Sequence, residues 1–94
     1  MNDHTPTPRT SVTITHIESR IAKVDYLRIP GTTTTVCQLL MVSGFTIIGT
    51  SGCVDATKYN QALGEKYAYE NAINKAWELE GYLLAEEMYQ RSKA

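Results

Sequence analysis

The stretch that most constrains this chain runs from Gln61 to about Tyr89, where Asn60 supplies a helix cap and one long helix follows. At roughly 100° per residue, Ala62, Tyr69, Ala72, Ile73, Ala76, Leu79 and Leu83 fall on one stripe, which is predicted to be the core face. Ala72 and Ala76 are small enough to let the helix lie close on a sheet. Leu63, Tyr67, Trp77 and Met88 lie about 100–180° from the stripe centre, on a face that a monomer leaves wet. Four large apolar groups on one outer face form a patch rather than scattered exposure, and the patch reads as an oligomer interface. The alternative is that Trp77 merely borders the core.

Upstream of this helix the pattern changes to period two. Ala22 to Ile29 alternates, with Val24, Tyr26 and Arg28 on one side and Asp25, Leu27 and Ile29 on the other, and Pro30-Gly31 ends the strand. Thr33 to Val42 is β-branched and aliphatic, and Phe45 to Val54 repeats that character after Ser43-Gly44. A two-residue link of this kind supplies the positive φ of a tight hairpin turn. It pairs Val42 with Phe45, Leu40 with Ile47 and Gln38 with Gly49, and sets Thr34 opposite Cys53. Val36, Leu40, Val42, Phe45 and Ile47 then share one face, and Leu39, Met41 and Ile48 the other. Both faces are apolar near the turn. The long helix can cover one, so the second needs the N-terminal helix or another subunit.

Ile14, Ile17 and Ile21 recur at i, i+3 and i+7, which predicts a short amphipathic helix, with Thr15 and Glu18 as a capping box. Residues 1–10 carry Pro6, Pro8 and a single apolar residue, too little to offset the entropy of ordering. A chain of 94 residues is too short for two independent cores. The reading is therefore a disordered tail over 1–10 and a single α+β domain over 11–94. That domain has a short N-terminal helix, a three-stranded antiparallel sheet with a tight hairpin and a long C-terminal helix, and it is oligomeric.

Nine Lys and Arg against ten Asp and Glu leave a net charge of −1, which offers no basic stripe to duplex nucleic acid. No apolar run has the length of a membrane span and the first fifteen residues lack a signal peptide's apolar stretch, so a cytoplasmic protein with no membrane partner is expected. His4 and His16 have no Cys, Asp or second His at ligand spacing, so neither a metal site nor a cofactor is expected. Cys37 and Cys53 point to opposite sheet faces in the register above and read as two buried, reduced thiols acting as small hydrophobes. Gly49-Thr50-Ser51-Gly52-Cys53 lacks the lysine of a phosphate loop, and Ser51 has no histidine base; no catalytic residue is assigned, and the chain is not expected to be an enzyme. Gly49 and Gly52 either permit close approach of a ligand or of another backbone, or mark a strand ending in a bulge and turn.

Three side chains remain open from their own chemistry. Asp55 is a good cap for a turn at Ala56 to Tyr59. Phe45, the chain's only Phe, either packs in the core or offers a base-stacking platform beside the turn. Arg20 is a solvated residue or an anion clamp, the former being favoured by its surroundings in sequence.

The segments Ile21-Ala22-Lys23-Val24-Asp25-Tyr26, Thr35-Val36-Cys37, Ser43-Gly44-Phe45, Gly49 to Asp55, Ala68-Tyr69-Glu70-Asn71-Ala72 and Trp77 to Leu84 resemble, in order and spacing, a family of small phage proteins of the N4/Sf6 type. The resemblance covers Ile17 to Leu84. The pattern also looks like the first type of Thoeris anti-defence protein, a phage sponge for immune nucleotide signals. That resemblance implies a non-catalytic homo-oligomer, dimers assembling into a hexamer, that sequesters glyco-cyclic ADP-ribose and in some members cyclic di- or trinucleotides, in the cytoplasm of the infected bacterium. It places a base-stacking aromatic at Phe45, a polar ligand contact at Asp55 and an arginine at Arg20. The family residue at the second position is Asn; an ionised Asp donates no hydrogen bond and repels phosphate. For a second family arginine in the long helix, Lys75 is the nearest basic residue. The competing class is a protein-binding inhibitor or assembly module whose Leu63, Tyr67, Trp77 and Met88 contact a host protein.

Overall fold

The computed structural model of the protein describes residues 9–93. The expected tail over 1–10 lies outside them except for Arg9 and Thr10. Helix α1 spans Ile14–Ser19 and begins at Thr13, whose hydroxyl accepts the His16 backbone N–H at 3.1 Å. Thr13 thus takes the capping role expected of Thr15, and Glu18 instead accepts from the Tyr69 hydroxyl at 3.4 Å. Strands β1 (Ile21–Arg28), β2 (Thr35–Met41) and β3 (Thr46–Ser51) form one antiparallel sheet in that spatial order. A 3-10 turn at Ala56–Lys58 and helix α2 (Gln61–Lys93) complete the α+β fold. Both expected caps form: Asp55 accepts the Thr57 N–H at 3.0 Å and Asn60 the Leu63 N–H at 3.1 Å.

The hairpin departs from the two-residue link. Gly44 N–H donates to the Met41 carbonyl at 2.9 Å and Met41 N–H to the Phe45 carbonyl at 2.8 Å, so the loop is Val42-Ser43-Gly44. Within this loop only Gly44 adopts a positive φ, 91°. A two-residue type I′ turn would force Ser43 as well as Gly44 into the left-handed region, whereas a three-residue loop asks this of the glycine alone. The extra loop residue slips the pairing by one. Leu39 faces Ile47, Cys37 faces Gly49 and Thr35 faces Ser51. With side chains alternating, that slip regroups the faces: Thr35, Cys37, Leu39, Met41 and Ile47 are buried together, while Val36, Leu40 and Ile48 lie on the opposite side.

The new register puts Gly49 under α2. A Cβ on Gly49 would lie 2.3 Å from the Ala68 carbonyl oxygen and 2.3 Å from the Ala72 nitrogen, so the close approach is that of a helix backbone. Gly64, Ala68, Ala72 and Ala76, spaced by four, form the seam on which α2 lies against the sheet; Ser51 donates to the Gly64 carbonyl at 2.6 Å. The helix also closes the free edge of β3, where Asn71 accepts the Thr50 N–H at 2.9 Å and Lys75 donates to the Ile48 carbonyl at 2.6 Å.

Seating the helix on this seam keeps the centre of the expected stripe, Ala72, Ile73 and Ala76 with Tyr69 packed beside them, and changes its ends. Ala68, Ala72, Ile73, Ala76 and Leu84 are buried, whereas Ala62, Leu79 and Leu83 are exposed. Ile17 brings α1 into the same core as Leu39, so α1 does not cover the second sheet face. That face keeps Leu27 60% exposed and leaves Ile48 open to solvent. Cys37 is buried as expected, but Cys53, beyond the end of β3 and so outside the sheet that α2 covers, is only half-buried; both are free thiols.

Candidate functional site

The backbone N–H of Val42 donates to the Arg20 carbonyl at 2.9 Å, which ties the end of α1 to the hairpin loop. Arg20, the C-cap of α1, is thereby held at the hairpin end of the sheet, where Phe45 follows twenty-five positions later. Between α1, the hairpin loop and the middle of α2 lies a cleft of about 540 Å³, lined by both residues. Met41, Ile47, Ala76, Leu79 and Leu83 make its apolar floor, and Phe45 and Tyr82 are its aromatic walls. Leu79 and Leu83 therefore serve the cleft rather than the core. Phe45 is 59% exposed, as a stacking surface must be and a core residue is not.

The cleft's charges come from both sides. Glu80, with its side chain 13% exposed, has its Oε1 3.1 Å from His16 Nε2 and 3.9 Å from Arg9 Nη1. Arg9 Nη2 donates to both oxygens of Glu87 at 3.4 Å, and Arg91 Nη2 donates to the Arg9 carbonyl at 2.7 Å. Arg20 makes no ion pair among the described residues. Two guanidinium groups, two carboxylates and two aromatic rings equip the cleft to hold a planar group and an anion together.

Asp55 is not brought to this cleft. It stands beyond the other end of β3, ten residues after Phe45, with the six residues of the strand, about 20 Å, between them. Its carboxyl lies below the ordinary carboxylate value because the Thr57 hydroxyl, at 2.7 Å, and the Thr57 N–H donate to it. Leu63 and Tyr67 flank a smaller cleft of about 150 Å³ at that same end, with Lys58 and Tyr59. Tyr59 stacks under the Arg28 guanidinium, 4.1 Å from ring centre, and shares a hydrogen bond of 3.0 Å with Thr35. Trp77 and Met88 are exposed on α2, as are Leu63 and Tyr67. Lys75 stays on the β3 edge, outside the Arg20 cleft.

Arg9, His16, Glu80, Tyr82 and Glu87 are cleft residues that sequence reasoning missed. His16 and Arg20 stand four apart, on one side of the last turn and C-cap of α1, and Glu80, Leu83 and Glu87 share a face of α2; that spacing was the available signal. Arg9 carried none, because nothing local ties it to α2. Among the described residues no cluster of three or more His, Cys, Asp or Glu side chains is placed to hold a metal ion, and no helix is long and apolar enough to cross a membrane.

No curated protein and no solved structure matches the chain. One family model does, over residues 12–88, from the start of α1 to the last turns of α2, a span that takes in every cleft residue except Arg9. On that match, which covers most of its length, the chain belongs to the phage protein (N4 Gp49/phage Sf6 gene 66) family.

Proposed function

We propose that this phage protein binds and sequesters a cyclic nucleotide immune signal without cleaving it, in the cytoplasm of the infected bacterium. Glyco-cyclic ADP-ribose is the first candidate and cyclic di- or trinucleotides the next, following the resemblance to Thoeris anti-defence proteins. The observation that carries the reading is the meeting of Arg20 and Phe45 in one cleft. A guanidinium fork suits phosphate and an exposed ring suits a base, and about 540 Å³ falls in the range of small-molecule sites. Sequestration asks for affinity and not turnover; about −12 kcal/mol gives nanomolar capture.

A shared-wall assembly accords with the remaining residues. Asp55 is too far along the strand to serve the cleft of its own chain, so a ligand contact by Asp55 would be made to a neighbouring copy. Leu63, Tyr67, Trp77 and Met88 offer the apolar contact such an assembly needs, and the uncovered sheet face around Leu27 and Ile48 offers a second. The same exposed groups support the alternative, a protein-binding inhibitor or assembly module. Native mass spectrometry separates the two: a dimer or hexamer fits the sponge, and a monomer fits the inhibitor. The deciding experiment incubates the protein with a panel of cyclic nucleotides, removes free ligand, denatures the protein and identifies what is released. Unmodified nucleotide supports the reading; cleaved product or no retained nucleotide refutes it.

A further inference from the structure

Arg9 reaches the cleft from ahead of α1 and is poorly satisfied there. Its Nη2 contacts to Glu87 are long for hydrogen bonds, 3.4 Å each, and its Nη1 is 3.9 Å from Glu80. That Nη1 is buried and has no hydrogen-bond partner among the described residues. A buried guanidinium nitrogen without an acceptor costs free energy that an incoming oxygen can recover. The backbone of Arg9, by contrast, is well held through Arg91 at 2.7 Å. An anchored main chain with a loosely held, under-satisfied head group is a side chain ready to change partners.

Electrostatics gives that change a purpose. Glu80 and Glu87 balance Arg9 and Arg20, so the cleft as it stands has no net attraction for an anion. We propose that Arg9 is an anion-binding arm of the cleft, which leaves Glu80 and Glu87 for a phosphate ester or pyrophosphate held jointly with Arg20. The proposal rests on the nucleotide reading for the class of ligand. Glu80 keeps His16 as its partner when Arg9 departs, so the exchange does not strand that carboxylate. A planar fork is required because phosphate offers paired oxygens, which lysine meets only as a point charge.

Isothermal titration of the full chain with inorganic pyrophosphate tests the arm without presupposing the nucleotide. Arg9→Gln is expected to weaken pyrophosphate binding at least tenfold, and Arg9→Lys to recover only part of the loss. Glu87→Gln frees the arm and tightens binding about three- to tenfold, and most of that gain disappears in the Arg9→Gln background. Equal gain in both backgrounds means a simple field effect and overturns the proposal, as does unchanged affinity of Arg9→Gln or a wild-type protein that binds no pyrophosphate at millimolar concentration. The Arg9 Nε–Hε resonance of the unmutated protein gives a readout independent of any variant's folding: it must shift on titration, and a resonance that stays put overturns the arm. Arg9-dependent pyrophosphate binding with no cyclic nucleotide retained supports the arm and removes the sponge reading. Cyclic nucleotide retained equally by Arg9→Gln overturns the arm and leaves the sponge standing.

Discussion

Replacing Gly49 by alanine tests the packing on which the rest of the fold depends. The added Cβ would stand 2.3 Å from both the Ala68 oxygen and the Ala72 nitrogen, where ordinary contact begins at 3.4 Å. Relief requires α2 to retreat by about 1 Å, because the obstacles are helix backbone and not the end of a flexible side chain. Overpacking costs about 1–3 kcal/mol where side chains can adjust. With none able to do so, Gly49→Ala is expected at about 3 kcal/mol or more, a large part of the ~5–15 kcal/mol that holds a domain together. At about 4–8 °C per kcal/mol for a domain of this size, the melting temperature falls by roughly 12–24 °C. Urea denaturation at one fixed protein concentration measures the loss as a lower midpoint. Gly81→Ala is the control, since its Cβ would meet nothing within 4 Å and it sits inside α2, where alanine gains about 0.5–1 kcal/mol over glycine. Ala72→Gly should not rescue Gly49→Ala, because the backbone oxygen and nitrogen remain in place. A Gly49→Ala protein within 0.5 kcal/mol of the unmutated one, by the same ~0.5 kcal/mol tolerance that surface changes show, refutes the account.

Phe45→Ala should weaken binding of any retained nucleotide by roughly ten- to hundredfold, the worth of one stacked base; calorimetry showing unchanged affinity in a folded protein would place the site elsewhere. Iodoacetamide should label half-buried Cys53 readily and buried Cys37 only on unfolding, since burial also pushes the Cys37 thiol up and keeps it protonated; equal labelling rates by mass spectrometry contradict this. Thr57→Val should raise the Asp55 carboxyl toward its ordinary value, because the Thr57 hydroxyl is the largest cause of the depression. A depressed folded value means that the cap's contribution is present above the ordinary carboxylate range and lost as pH falls through the folded value; a carboxyl carbon titration that does not move on mutation speaks against it. Trp77→Glu should reduce self-association measured by light scattering, and an unmutated protein that is monomeric at micromolar concentration removes the premise.

Much of the fold was legible because its determinants are local. Asp55 caps the 3-10 turn and Asn60 caps α2 through contacts within three residues, and Pro30-Gly31 ends a strand whatever the strand pairs with. Alternation in β1 correctly put Val24, Tyr26 and Arg28 on one side, opposite Leu39, Cys37 and Thr35 of β2. What the sequence left ambiguous was every choice between residues far apart. Ser43-Gly44 is compatible with two loop lengths, and the backbone cost of a left-handed serine selects the longer, which exchanges the faces of the hairpin. Gly49 announces that something approaches closely; only the docked helix identifies the Ala68–Ala72 backbone as that partner, and only its docking turns Leu79 and Leu83 from the core to the cleft.

The candidate site divides in the same way. Arg20 and Phe45 are recognisable as residue types, yet their neighbourhood exists because β1 pairs with β2 in a register that sets Ile21 opposite Met41, which the Val42 N–H extends to the Arg20 carbonyl. Arg9 reads as part of a tail until α2 supplies Glu87 and Arg91, nearly the whole chain length away. Asp55 shows the converse: ten positions from Phe45 in sequence, it is carried to the far end by an extended strand, which separates neighbours about as fast as a chain can. Sequence alone thus determined which elements form and the caps at Asp55 and Asn60, since those energies are decided within a few residues. Tertiary structure alone decided register, helix seating and the membership of the cleft, because those depend on which surfaces can approach one another once the chain has closed.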